Sequence, residues 1–181
     1  MRAWTWLLLA NAGCAVQMGG HGGVTPSEPV RATHGVQLSA YTAPWTPGSG
    51  MVHLGVETSA EVEHRVGSEA EYLGTDFTMG AQIGYAHWFD NSRLSLQPHA
   101  NFGTALFDSA YDGYAGITMA MPIELGPIRD VTDMNHAFQL VARRLSLVPY
   151  GRWRFTWSDG AQHHNASLGL ALRARLSTDL L

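Results

Sequence analysis

Residues 52–65 read VHLGVETSAEVEHR, and taken alternately they separate into two sets. Val52, Leu54, Val56, Thr58, Ala60 and Val62 form the first, and His53, Gly55, Glu57, Ser59, Glu61, Glu63 and Arg65 the second. Successive side chains of a strand point to opposite faces, so this stretch is a two-faced β-strand with one apolar and one polar side. Residues 167–177 repeat the pattern, with Leu168, Leu170, Leu172, Ala174 and Leu176 against Gly169, Ala171, Arg173 and Arg175.

The same period recurs along most of the chain. It predicts eight strands at 35–42, 51–65, 76–89, 93–107, 111–125, 135–143, 144–157 and 164–177. Between them stand segments with turn chemistry, such as Pro44-Trp45-Thr46-Pro47-Gly48, Asp90-Asn91-Ser92 and Ser158-Asp159-Gly160. Pro98, Pro122 and Pro149 fall inside proposed strands and mark breaks in the hydrogen-bond ladder, because proline supplies no ladder donor. Arg93-Leu94-Ser95-Leu96-Gln97-Pro98 returns as Arg144-Leu145-Ser146-Leu147-Val148-Pro149, a sign of repeated hairpins, yet the two copies fall on strands of opposite parity in this count. The expected fold is all-β: a closed, antiparallel, up-and-down barrel of eight strands over 35–181. Residues 14–34, rich in Gly, Pro and Ser, read as a flexible tether, and 1–13 as a signal peptide.

Composition decides how such a barrel meets its surroundings. Charged residues make up 14% of the chain, against roughly 25% in soluble domains. All 11 basic residues are Arg, and the net charge of −4 with no basic stretch argues against nucleic-acid binding. After the N-terminus no run of 18 apolar residues occurs, which excludes a transmembrane helix and leaves strands untouched.

A barrel with its apolar faces outward sits in lipid; with those faces inward it is soluble. The polar faces offer compact residues, such as Gly55, Ser59, Thr78, Gln82, Asn101 and Thr118, which suit a narrow lumen and leave room for Glu57, Glu61, Glu63, Glu124, Arg152, Arg154, Arg173 and Arg175. Buried charges need partners. The acidic residues concentrate on the second proposed strand and the arginines on the seventh and eighth, so closure brings them together as a lumen charge network. The apolar faces carry Phe77, Met79, Ile83, Leu96, Phe102, Ile117, Trp153, Phe155 and Trp157, with aromatics gathered toward strand ends as in the girdles of a transmembrane barrel.

On these residues the chain resembles the small outer-membrane β-barrel superfamily of Gram-negative bacteria. The run Ser167-Leu168-Gly169-Leu170-Ala171-Leu172-Arg173-Ala174-Arg175-Leu176 looks like the final strand that the barrel-assembly machinery recognises. The resemblance implies residence in outer-membrane lipid and a non-enzymatic role in envelope structure or in binding through loops, here 42–50 and 126–134, with Trp45 a candidate contact residue. The N-terminus, with Arg2, an apolar core of 4–10 and Ala10-Asn11-Ala12-Gly13-Cys14, resembles a bacterial lipoprotein signal in which Cys14 is acylated. Ala10-Asn11-Ala12 equally suits ordinary signal peptidase. With Cys14 the only cysteine, no intramolecular disulfide can form.

No cofactor, metal or catalytic group is expected. Outer-membrane lipid A deacylases, which the His-rich segment 163–167 brings to mind, set His and Ser one residue apart on one face; His164 and Ser167 are three apart and point oppositely. The nine histidines are dispersed without ligand spacing. The competing expectation is a periplasmic lipoprotein with a calycin-like soluble barrel, holding an apolar ligand among Trp153, Phe155 and Leu170 with Arg152, Arg154 and Arg173 in water.

Overall fold

In the computed structural model, which describes residues 14–26, 29–45, 50–67, 71–89, 93–107, 110–126, 140–158 and 161–178, every named element is a strand. They are β1 (Cys14–Thr25), β2 (Arg31–Trp45), β3 (Gly50–Arg65), β4 (Glu71–Trp88), β5 (Ser95–Phe107), β6 (Ala110–Ala120), β7 (Ile123–Gly126), β8 (Leu140–Ser158) and β9 (Ala161–Thr178). Each pairs antiparallel with its neighbours, and β1 also pairs with β9 over Cys14↔Thr178 to Val24↔Leu168, which closes the ring. β6 and β7 are two lengths of one staved strand: both pair with β8, and Pro122 interrupts the ladder between them. Counted this way the barrel has eight strands, as the alternation demands. Closure leaves no strand edge to aggregate.

Two expectations are corrected. The tether drawn over 14–34 is not one: β1 occupies Cys14–Thr25 and β2 starts at Arg31. Glycines at 19, 20, 22 and 23 dilute the alternation there, but the register gives Val16, Met18 and Val24 one parity and Gln17 and His21 the other. The strands drawn at 135–143 and 144–157 are replaced by the single β8, and 135–139 lie outside the described residues. The count survives because one strand was missed and one was split. This also resolves the parity of the internal repeat: β5 and β8 are separated by the single interrupted strand, run the same way, and bury Ser95 and Ser146 at matching inward positions. Of the prolines, Pro98 sits where the β4–β5 ladder skips between Gly84↔His99 and His87↔Leu96. The proposed signal peptide, 1–13, lies outside the described residues.

Burial settles the direction of the faces. His53, Glu57, Ser59 and Glu61 of β3 are buried, while Leu54, Val56 and Thr58 between them are exposed. Met79 is 66% exposed, Leu168 63% and Trp153 50%, whereas Arg154 is 8% exposed. The calycin-like arrangement required the reverse, with Trp153 and Leu170 inside and the arginines in water, and it is overturned. The interior is instead filled by polar side chains, with two small apolar clusters: Ala15, Tyr41, Met51 and Ala86 against Trp88, and Ala120, Val148 and Ala171 against Tyr150.

Tyr150 also shows how a narrow lumen is packed. Its hydroxyl lies over Gly169 of β9 and Gly23 of β1, at the closing seam; a Cβ on Gly169 would come within 2.6 Å of it and collide with the Gly22 carbonyl oxygen. Gly169→Val is therefore expected to destabilise the barrel by about 1–3 kcal/mol through overpacking, measured as a lower urea midpoint in lipid vesicles.

Candidate functional site

The ring places β3 and β8 on opposite sides, four staves apart, so inward side chains at matching heights meet across the axis. At one level Glu61 of β3 receives both terminal nitrogens of Arg152: Nη2 donates to Oε2 at 2.7 Å, and Nη1 donates to Oε1. Arg154 Nη2 donates to Glu61 Oε1 at 3.2 Å, and its Nη1 donates to Asp76 Oδ2. Asp76 faces Glu61 in the β3–β4 register, so Arg154 bridges two neighbouring carboxylates that would otherwise repel. Ser59 Oγ donates to Glu61 Oε1 at 3.4 Å, and His21 Nε2 stands 3.4 Å from the same oxygen. Glu61 is 4% exposed. A bidentate guanidinium–carboxylate pair is the strong form of an ion pair, and removed from water it persists only because each charge is matched.

A second polar level lies toward the chain ends. Asn101 Nδ2 donates to Glu57 Oε1 at 3.0 Å, and His99 Nε2 stands 3.9 Å from Oε2. His53 and Gln82 meet at 3.3 Å. Beyond them Gln17 Nε2 donates to the Tyr41 hydroxyl at 2.9 Å, and the Arg175 guanidinium lies 5.7 Å from the Tyr41 ring centre. Arg154 stands over Tyr114 in the same manner, at 5.6 Å. Cation–π contacts of this kind help to hold a guanidinium in place, at Arg154 in addition to its two carboxylates.

Of the eight residues expected in one network, the structure brings Glu61, Arg152 and Arg154 into direct contact. Glu57 and Arg173 share the wall of one small cavity next to that layer. Glu63 is not part of it: Arg31 Nη1, on the adjacent strand, donates to it at 3.5 Å in a partly exposed pair. Glu124 lies nearer the chain ends, on the wall of another cavity with Arg173 and Arg175. Two participants were missed. Asp76 shares the parity of Thr78, so the alternation could have found it; His21 was hidden in the supposed tether.

Among the described residues, small cavities of about 20, 10 and 20 Å³ interrupt the packing, each lined by Arg173. Each has space for about one water molecule. The described lumen is thus filled rather than open, as expected of an eight-stranded barrel.

The outer wall completes the site's setting. Trp153 stacks on His164 at 5.9 Å, Phe155 packs against His164 and Trp157, and Tyr85, His87 and Phe89 form a chain of rings near the other end of β4. Ser167 is buried, whereas His164 is exposed on the opposite face, so the two make no catalytic pair. The side chain of His163 lies outside the described residues. Trp45 belongs to the end of β2, paired with Val52, rather than to a loop; its side chain lies outside the described residues, as does the proposed contact loop over 127–134. The backbone of Cys14 pairs with Thr42 and Thr178 at one end of the ring.

No protein-family model and no curated protein matches the chain. Among solved structures it is similar to the crystal structure of Neisserial surface protein A, at 12% identity and a TM-score of 0.54, covering 91% of this chain and 96% of that one. It also matches the Yersinia pestis outer-membrane protein Ail in a phospholipid nanodisc (9% identity, 90% and 99% coverage, TM-score 0.41). The crystal structure of Ail matches too (13%, 90% and 98%, 0.37). The first of these shares the eight-stranded closed fold.

Proposed function

We propose that this chain is an outer-membrane β-barrel of a Gram-negative envelope, with a structural or binding role rather than an enzymatic one. The observation that carries this reading is the inversion of the barrel: its continuous outer wall is apolar, while Glu61, Arg152, Arg154 and Asp76 pair inside. In water such a wall would expose an apolar surface far larger than soluble monomers tolerate. In lipid the same wall is solvated, and the closed ladder satisfies the backbone groups. Strands of 12 to 19 residues, taking β6 and β7 as one, exceed the roughly 9–11 needed to cross the hydrocarbon core. The likeness in fold to Neisserial surface protein A accords with this location.

Outer-membrane lipid is then the principal partner of the wall, and the 167–176 segment is the mark read by the barrel-assembly machinery. Acylation of Cys14 would set its lipid directly at the rim, since β1 leaves no tether. The test is electrophoretic. Extracted from the outer-membrane fraction, the protein should migrate faster in SDS unheated than after boiling, and its intact mass should show whether Cys14 carries lipid. Recovery as a soluble monomer without detergent and without a heat-dependent shift overturns the membrane reading.

A further inference from the structure

We infer that the outer wall carries a specific site for one phosphate-bearing membrane lipid, a glycerophospholipid, with an acyl chain in a groove across β1–β4 and the phosphate against His34, His64 and Tyr72. The inference rests on the membrane reading above and adds a ligand to it. The groove has a volume of about 480 Å³ and is formed by Met18 and Gly20 of β1, Val36 and Leu38 of β2, Ala60 of β3 and Phe77 of β4. Its shape follows from register. Gly20, Val36, Ala60 and Phe77 are successive partners across four strands, so two small residues in that row drop the surface between larger neighbours. The volume lies in the range of ordinary ligand clefts. A concavity on a wall immersed in lipid is filled, because an unfilled one forfeits dispersion contacts on every lining atom.

What selects the occupant stands at one edge of the groove. His34 precedes Val36 on the same face of β2, two residues or about 7 Å farther from the chain ends. Its ring stacks on His64 of β3, with centroids 5.2 Å apart and an interplanar angle of 4°. His64 in turn meets the edge of Tyr72 at 5.9 Å, where the bulge between β3 and β4 carries Tyr72 onto the outer face, and the Tyr72 hydroxyl hydrogen-bonds Thr75 Oγ1 at 2.8 Å. Each imidazole has an N–H donor. Apolar groove below and clustered N–H and O–H groups above reproduce the order of a phospholipid, in which the phosphate sits immediately beyond the chains. Among the described residues, the acidic groups nearest this end, Glu63 and Glu71, are engaged by Arg31 and Arg65. Anionic oxygen at the histidines therefore meets no unopposed carboxylate of that pair.

The test uses the full barrel folded in detergent, with added dipalmitoyl phosphatidylglycerol or dipalmitoylglycerol, which differ in the phosphate headgroup, and native mass spectrometry as the readout. Wild type should retain one phospholipid with roughly tenfold preference over the diacylglycerol, the scale of one charge-assisted hydrogen bond. Gly20→Leu should abolish retention of both lipids; a Cβ there meets nothing closer than the Gly35 carbonyl at 3.8 Å, so the barrel has room for it. Should that variant misfold, Ala60→Leu fills the same floor. His34→Ala with His64→Ala should keep chain binding and lose the preference. Equal retention by wild type and the groove variants, an adventitious lipid only, overturns the site, as does a wild type without preference for the phosphate. The heat-dependent mobility shift on the same samples keeps the two ideas apart, since a barrel that shifts but holds no lipid refutes this site alone.

Discussion

Glu61→Gln is expected to lower the unfolding free energy of the barrel by about 3–5 kcal/mol, the cost of leaving a buried charge without its counter-charge. The carboxylate takes both terminal nitrogens of Arg152 and one of Arg154, so a neutral amide leaves Arg152 facing no carboxylate in its own layer. Asp76 remains for Arg154, which limits the damage on that side. The cost belongs to the broken pair rather than to the absence of charge. A combined Glu61→Leu, Arg152→Met, Arg154→Leu variant, apolar throughout, should recover most of the loss once Asp76 is also made Asn. Urea titration in lipid vesicles, followed by tryptophan fluorescence, measures both. A Glu61→Gln cost under about 1 kcal/mol, the size of an exposed pair, would show that this layer is hydrated and does not lock the lumen.

Met79→Arg is expected to cost about 2–4 kcal/mol in a bilayer, the penalty for a cation on the lipid face near the midplane. Met79 lies in the middle of β4, is 66% exposed, and belongs to the register row Leu38–Thr58–Met79–Thr104, so an arginine there would have no neighbour of opposite charge in its row and, with the barrel in lipid, no water. The same substitution on a soluble protein at so exposed a position would be nearly silent. The comparison therefore reads the solvent of the wall directly: an unchanged urea midpoint in vesicles would mean that residue 79 faces water.

The period-two alternation made the fold legible because each strand is buried on one face only, and the same alternation assigned Glu61, Arg152 and Arg154 to the lumen. What it lost, it lost for local reasons. In β1, glycines remove side chains from both faces, so a strand held by two neighbours looked like a linker, and His21 vanished with it. In β8 a nineteen-residue strand exceeded the expected length and was cut in two. Which of the inward charges would touch was not legible at all. That depends on height along the axis, set by stagger around the ring, and the stagger puts Glu63 beside Arg31 and Glu124 beside the Arg173 and Arg175 cavity instead of in the Glu61 layer.

The seam between β1 and β9 joins Val16 to Leu176 and Val24 to Leu168, the first stave to the last. Until the final stave has been delivered, each partial cylinder is a curled ribbon with two raw margins and an oily back. A chain deprived of 168–178 would accordingly keep both margins of the ribbon bare, because the first stave would have nothing to zip against.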